Sequence, residues 1–512
     1  MNLEQLIKGK AIAIGLIVFL VFSAYSFVLK APFKTGDDRV SIVENKEIKS
    51  FINLPKLFQR GFFSEDRTYY RPLVALSFMV EYHAFGLQAF FYYLDNTFLH
   101  IFNTIAVYLI AILIMQNRLY AFFVALLFGI HPVQWEAVAN ISGRAILLCA
   151  FFSLYSFLCF QIFQEKKKKV FYILSIVFFA LGLLCKELTA ILPILLLIYF
   201  LTIKKESIKF TARFCKFLPF LAVLALYFLL RHSAGITKIF YWPSTQEAFL
   251  GFMSFLRGLL TYFRLTIFPV DLHFDRSRPL FMEFNTEVFA TLVIFLAMGA
   301  FLWQLRKKIS DEFWFFFFWF FVGLLPVSQI FYSVGMQPGY ISLAEHFLYL
   351  SSMGFFGCVV FLAGKFYGNI TKKGFISAPI LKIVLSGYFL FLFLFLIKQN
   401  IYASSEIAMF RQTLLYCPYN VGIQHALAML YVERGKFKEA EESLRSALKA
   451  DPQSIPIRIA LGKVLCDQGH YWEGMNEYEK IIDPGEHKEL LENNKRLTLE
   501  ILKKQSKNPR LR

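Results

Sequence analysis

The stretch AIAIGLIVFLVFSAYSFV, residues 11–28, decides how the whole chain is read. It stands behind Lys8 and Lys10 and exceeds the ~7–15 residue apolar core of a signal peptide. It approaches the ~20 residues an apolar helix needs to cross a bilayer, so it reads as an uncleaved first span. Directly after it comes Phe33-Lys34-Thr35-Gly36-Asp37-Asp38-Arg39, followed by Ile42 and Asn45. Two adjacent carboxylates thus stand where a membrane helix meets water. Such a pair can bind a cation, orient a hydroxyl or take its proton. Asp-Asp beside glycine also makes an ordinary solvated turn or helix N-cap.

Further apolar runs follow the first. Spans are expected near 9–30, 90–115, 118–133, 143–164, 169–185, 187–203, 214–231, 285–305, 312–330, 346–367 and 379–398. The connections Lys166-Lys167-Lys168-Lys169, Lys204-Lys205, Arg306-Lys307-Lys308 and Lys372-Lys373 should be cytoplasmic by the positive-inside rule. They agree on one topology only if 249–268 does not cross. Arg257 and Arg264 interrupt that segment at helical spacing, which favours an amphipathic helix lying in the outer interface. The count is then about eleven spans.

Composition excludes other classes. The net charge is +18, but much of the basic charge sits in loops between spans, and no aromatic-basic pattern of an RNA-binding sheet occurs. Nucleic acid is therefore not an expected partner, whereas membrane lipid is. The 7 cysteines form no Cys-x-x-Cys pair, so neither a zinc site nor a disulfide scaffold is indicated.

On this topology polar groups gather at the external face: the loop 31–89 with Asp37, Asp38 and Arg71-Pro72, then His131-Pro132 with Glu136, and Arg144. Lys186-Glu187, Asp271, Asp275 and Glu345-His346 join them. Each could be a snorkelling anchor. Together they suit an anionic lipid-linked substrate and a base. Asn96, His100 and Asn103 make one polar stripe on the second span, which interhelical hydrogen bonding explains better than a ligand role. Asp95 lies off the stripe and needs a partner or a wet cavity.

After about residue 400 the composition turns soluble and charged. Leu427, Ala428, Tyr431, Gly435, Ala440, Leu444, Ala447 and Pro452 fall at the fixed positions of a tetratricopeptide hairpin. One 34-residue period on stand Leu461, Gly462, Leu465, Gly469, Gly474 and Tyr478, and one period back Phe410 and Pro418 suit a half copy. The expected layout is 1–400 membrane domain (31–89 an external loop), 401–500 repeats and 501–512 a basic tail.

The motifs resemble a known family. Asp37-Asp38-Arg39-Val40-Ser41-Ile42-Val43-Glu44-Asn45, Tyr70-Arg71-Pro72-Leu73, Asn96 with Leu99-His100, and Phe128-Gly129-Ile130-His131-Pro132 carry the likeness. So do Glu136-Ala137-Val138-Ala139, Gly143-Arg144, Cys185-Lys186-Glu187 and Ala344-Glu345-His346-Phe347-Leu348-Tyr349-Leu350. In order and spacing they resemble the transmembrane and tetratricopeptide-repeat (TMTC-like) O-mannosyltransferases, a branch of the GT-C superfamily. The chain departs from that pattern in lacking a Trp before the acid pair, in His346 where the family has Arg, and in its short repeat array.

The resemblance implies an all-α polytopic bundle and an inverting glycosyltransferase. It would move mannose or a similar hexose from a polyprenyl-phosphate donor to a protein Ser/Thr hydroxyl or a glycan, with the repeats available to hold the acceptor. Its chemistry needs a general base, for which Asp37 is the choice, with Asp38 as orienting partner or ligand of a divalent ion (Mg or Mn). No cofactor is otherwise required. Cations should stabilise the leaving phosphate, and Arg71, Arg144, Lys186 and His346 are the candidates. His131, Glu136, Asn96, His100, Glu187 and Glu345 would shape the pocket. The expected location is a membrane, the inner one in a bacterium, with loop 31–89 and repeats outside. A non-catalytic scaffold whose repeats bind envelope proteins competes with this reading. A transporter fits less well, because no Gly/Pro-broken spans recur in matching halves.

Overall fold

The computed structural model describes residues 9–62, 69–205, 215–236, 244–328, 340–372 and 378–507. It is helical almost throughout, and its one sheet pairs β1 (Ser277–Pro279) antiparallel with β2 (Tyr340–Ser342). The chain divides into two compact units, Met1–Ser404 and Ser405–Arg512. Parts of the expected spans 214–231 and 312–330, and Lys373, lie outside the described residues.

The first unit is a multi-pass membrane bundle. Among the described residues, the helices long and apolar enough to cross are Lys10–Lys30, Ala89–Met115, Ile141–Lys166, Glu187–Lys204, Thr286–Leu305, Glu345–Gly368 and Pro379–Ala403. An eighth crossing is available if Arg118–Ile130 and Pro132–Val138, bent by 50°, act as one broken span. The other expected spans are short: Lys169–Leu183, Leu218–Ser233 and Asp311–Leu324 have 15, 16 and 14 residues. At 1.5 Å per residue these reach only about 21–24 Å against a hydrocarbon thickness of about 30 Å. The count of eleven treated every apolar run as full length. Residues 249–267 fall in the helix Thr245–Ile267, opened by a Ser244–Glu247 capping box and capped by Phe268, and it is not among the crossing helices.

Two tight hairpins order the centre of the bundle. The helices Ala89–Met115 and Arg144–Lys166 both end on a residue in the left-handed region, Gln116 (φ 50°) and Lys167 (φ 56°). That conformation satisfies terminal carbonyls and reverses the chain at once. The next helices, Arg118–Ile130 and Lys169–Leu183, therefore pack back antiparallel. The stretch 31–89 is not a bare loop: Pro72–Phe85 is a 14-residue helix, and shorter helical turns cover 39–59.

The second unit stacks Glu406–Tyr416, Val421–Glu433, Phe437–Ala450, Ile455–Asp467, Tyr471–Glu479 and Lys488–Lys507. Leu427, Ala428, Tyr431, Ala440, Leu444 and Ala447 are buried, as are Leu461, Leu465 and Tyr478 one period on. Gly435 and Gly469 hold φ of 68° and 89° between the two helices of each hairpin, a conformation open to glycine at little cost. Gly462 leaves room for the Tyr478 ring, which an added Cβ would meet at 2.4 Å. The final helix runs to Lys507, into the stretch expected to be a basic tail, because Leu491, Thr498 and Leu502 bury one face of it.

Gly469→Ala should destabilise the repeat unit by about 1–2 kcal/mol, the cost of a Cβ in the left-handed region. Limited proteolysis of the full chain should cut 405–507 faster in this variant, and an unchanged rate would deny the turn its role.

Candidate active site

The polar groups converge on residues 131–143, a buried segment of short helical turns joining the helices Arg118–Ile130 and Arg144–Lys166. Its shape depends on Gly143, where a Cβ would stand 2.0 Å from the Ala137 carbonyl oxygen. His131 opens the segment, its Nδ1 accepting the Val133 N–H at 3.2 Å. Gln134 Nε2 donates to Ser352 Oγ at 2.9 Å, and Trp135 Nε1 donates to Glu345. Asn140 receives Asn96 Nδ2 on its carbonyl at 2.8 Å.

The acid pair reaches this segment through Lys34. Asp38 is 2% exposed, and its Oδ2 accepts the Lys34 N–H at 3.0 Å. Lys34 Nζ donates to Ala139 O at 3.0 Å and to the Asn140 side chain. Asp37 is exposed, and its carbonyl accepts the Ser41 hydroxyl. The two carboxylates thus occupy different environments, one facing solvent and one enclosed. Among the described residues no group of three or more His, Cys, Asp and Glu is arranged to hold a metal ion, and a ligand set around Asp38 is not assembled.

Glu136 and His346 form a tight pair. His346 gives Glu136 both its backbone N–H and Nδ1, each at 2.9 Å. Glu345 has a different role. It is fully buried and takes bonds from Trp135, from the His273 N–H at 3.1 Å and from Arg276 Nη2 at 3.1 Å. That arrangement latches the 271–276 loop onto the bundle.

Arg144 is corrected by the structure. It is fully buried, with Nη1 and Nη2 on Glu81 at 2.9 and 3.1 Å, Nη1 on Asp95 at 2.9 Å and Nε on the Asn96 side chain at 2.5 Å. A guanidinium so engaged has no donor left for a substrate phosphate. Asp95 finds the partner that its position demanded. Burial raises the Glu81 carboxyl to about 7 against the opposing pull of Arg144, so the pair is a costly internal brace. His100, assigned to the pocket from sequence, is likewise interior: Nδ1 meets Tyr349 Oη at 2.7 Å and Nε2 meets Gly129 O at 3.0 Å. Asn103 bonds Leu147 O and Tyr349 Oη, both at 3.0 Å. The stripe packs helices, as hydrogen bonding alone would have it.

A cationic cluster remains. Arg71 caps the helix Pro72–Phe85, stacks on the Tyr69 ring at 4.4 Å and lies 3.9 Å from Glu187. Lys186 sits in the turn before Glu187, and among the described residues its Nζ has no hydrogen-bond or ion-pair partner. Burial, and then the Arg71 guanidinium, push Lys186 down to about 8. Glu136 lies within its electrostatic reach. Arg231 acts on Glu187 from the helix Leu218–Ser233, and the Arg71 Nε and Tyr227 hydroxyl are buried without a described partner. Sequence reasoning missed Lys34, Glu81, Tyr227, Arg231 and Arg276. A lone Glu81 inside an apolar helix was the one signal that asked for a buried cation.

These placements separate brace from site. Arg144→Gln should lower the thermal midpoint and the yield of folded protein, because removing one partner of a buried pair costs about 3–5 kcal/mol. Lys186→Gln should leave both unchanged. An Arg144→Gln protein that melts with the parent would remove the brace.

Residues 421–464 match the tetratricopeptide repeat family model. The chain is similar to Protein O-mannosyl-transferase F38B6.6 of Caenorhabditis elegans, at 27% identity over 81% of this chain and 59% of that protein. It is 26% identical to human Protein O-mannosyl-transferase TMTC1 over 78% of this chain and 50% of the relative. A shorter stretch, 34% of this chain and 20% of the relative, is 32% identical to mouse Protein O-mannosyl-transferase TMTC3. The chain therefore spans 59% or less of the length of these relatives. The similarity, the repeat match and the motif order agree: the chain is similar to the transmembrane and tetratricopeptide-repeat protein O-mannosyl-transferases.

Proposed function

We propose that the protein is a membrane glycosyltransferase that moves mannose or a similar hexose from a polyprenyl-phosphate donor to a protein Ser/Thr hydroxyl or a glycan. The relatives' names support the transferase class, and the cluster of Arg71, Lys186 and Arg231 around Glu187 carries the donor assignment. An unpaired ammonium and buried, unpartnered donors call for an anion. A phosphate meets that need, and the glycosyl phosphate ester is the bond to be broken.

In this reading the acceptor oxygen attacks the anomeric carbon from the face opposite the phosphate, with inversion. Its proton passes to Asp37, the exposed member of the pair, while Asp38 holds the turn through Lys34. The bond from the anomeric carbon to the phosphate oxygen breaks, and its electron pair leaves with the phosphate, which Lys186 and Arg71 stabilise. Glu136 fixes His346 through Nδ1, leaving Nε2, without a described partner, to accept from a sugar hydroxyl, or to donate to a phosphate oxygen when the ring carries both protons. Asp37, the 131–143 segment and the cluster belong on the external face, opposite the lysine-rich connections. The repeats recruit the acceptor.

The test uses the full chain in nanodiscs, an isotope-labelled polyprenyl-phosphate mannose and a Ser/Thr-rich peptide. Asp37→Asn should lose about two to four orders of magnitude in turnover, because an amide takes no proton. Asp38→Asn should lose less. Wild-type transfer by the double variant would place the chemistry elsewhere.

A pH series tests the cation. Lys186 is charged below about 8 and neutral above it, so donor KM should climb as pH rises through that value. Lys186→Arg, charged throughout, should flatten the limb, and an unchanged profile would release Lys186 from the donor.

A further inference from the structure

The helix Thr245–Ile267, with Arg257 and Arg264, and the stretch that enters β1, with Arg276 and Arg278, bring four arginines together away from the site above. Arg264 is paired with Asp271 at 2.7 Å, and Arg276 is satisfied by Asp271 and Glu345 at 3.4 and 3.1 Å. Arg257 and Arg278 are the under-neutralised members. Arg257 stacks on Phe281 at 4.2 Å and donates to Pro279 O, while its one described carboxylate, Glu287, stands 3.5 Å off and exposed. Its Nε is buried without a described partner. Arg278 is exposed and has no ion-pair partner among the described residues. Partial enclosure, then Arg257, Arg276 and Arg264, lower it from its ordinary value, with Glu287 alone opposing.

The depth of this cluster follows from Glu287. That residue lies in the first turn of Thr286–Leu305, a crossing helix only 11% buried in its apolar window and therefore faced with lipid along its sides. The end of such a helix is at headgroup level, so Arg257, bonded to Glu287, is there too. Phe249 and Phe284 stack at 6.5 Å beside it, and Met282 is 77% exposed, giving apolar surface next to cationic surface. This combination holds a lipid by both ends.

We propose that Arg257 and Arg278 bind the phosphodiester headgroup of an anionic phospholipid, whose acyl chains lie along Phe249, Met282 and Phe284. Arginine offers planar paired donors to phosphate, and with Glu287 answering only Arg257 the pair keeps a net positive charge that an anionic lipid neutralises and a zwitterionic one does not. The site is independent of the transferase reading, since none of its residues belongs to that machinery.

The experiment is native mass spectrometry of the full chain released from nanodiscs of phosphatidylcholine mixed with phosphatidylglycerol. The parent should retain phosphatidylglycerol in preference to phosphatidylcholine. Arg278→Gln, which removes no described contact, should lower that retention about fivefold, and the double variant with Arg257→Gln about 25-fold. Arg278→Lys, which keeps the charge, should retain most of it. Equal retention by the parent and Arg278→Gln would overturn the site and leave the arginines as plain interface anchors. Displacement of the lipid by inorganic phosphate would also overturn it, in favour of a site for a free anion.

Discussion

A membrane bundle can hold irregular backbone only where protein supplies the hydrogen bonds that water would have made. The 131–143 segment is that exception here, and the polar architecture of the first unit answers to it. Asn96 and Lys34 satisfy the Asn140 and Ala139 carbonyls, Asn140 Nδ2 turns back to Glu136 O, and Glu136 in turn receives two bonds from His346. Three distant stretches of chain, around Lys34, Asn96 and His346, are thereby fixed around one loop. Gly143 is what allows the loop to close, since its Cα approaches the Ala137 carbonyl too closely for any side chain.

Charge neutralisation then sorts the ionisable groups by role. Arg144 with Glu81 and Asp95, and Arg276 with Glu345 and Asp271, are closed sets whose members answer each other inside the protein. Such sets are expensive to bury and gain little net stability, but they specify how helices and loops meet. Lys186 belongs to no closed set. With no hydrogen-bond or ion-pair partner among the described residues, Lys186 is a stronger candidate for holding an anion than the better-bonded cations around it.

Much of this was legible in the sequence, for identifiable reasons. Apolar runs announced membrane helices because the bilayer demands length and apolarity together, and the repeat positions announced themselves because burial recurs every period, from Leu427 to Leu461 and from Gly435 to Gly469. Asp95 was correctly assigned a missing partner. What the sequence hid was identity of partner: Arg144 and Glu81 are 63 positions apart, and nothing local distinguishes a guanidinium bonded to carboxylates from one reserved for phosphate. Apolar runs also conceal where a helix stops, so the run 169–185 reads as a full crossing although its helix is the 15-residue Lys169–Leu183.

That short helix explains the electrostatics of the candidate site. Lys169–Leu183 rises from the Lys166–Lys169 connection and covers about 22 Å, leaving roughly 8 Å of hydrocarbon thickness before the opposite surface. A turn that follows so short a helix stops short of a full crossing, and a lone ammonium there would be costly against lipid. Glu187 and Glu136 offset part of that cost, while burial and then the neighbouring Arg71 guanidinium push Lys186 down to about 8. A shallow turn beyond a full-length helix would have put the same lysine in water, where Debye screening weakens its pull on any anion. Stopping the helix early is how the chain places a cation where the charge is felt.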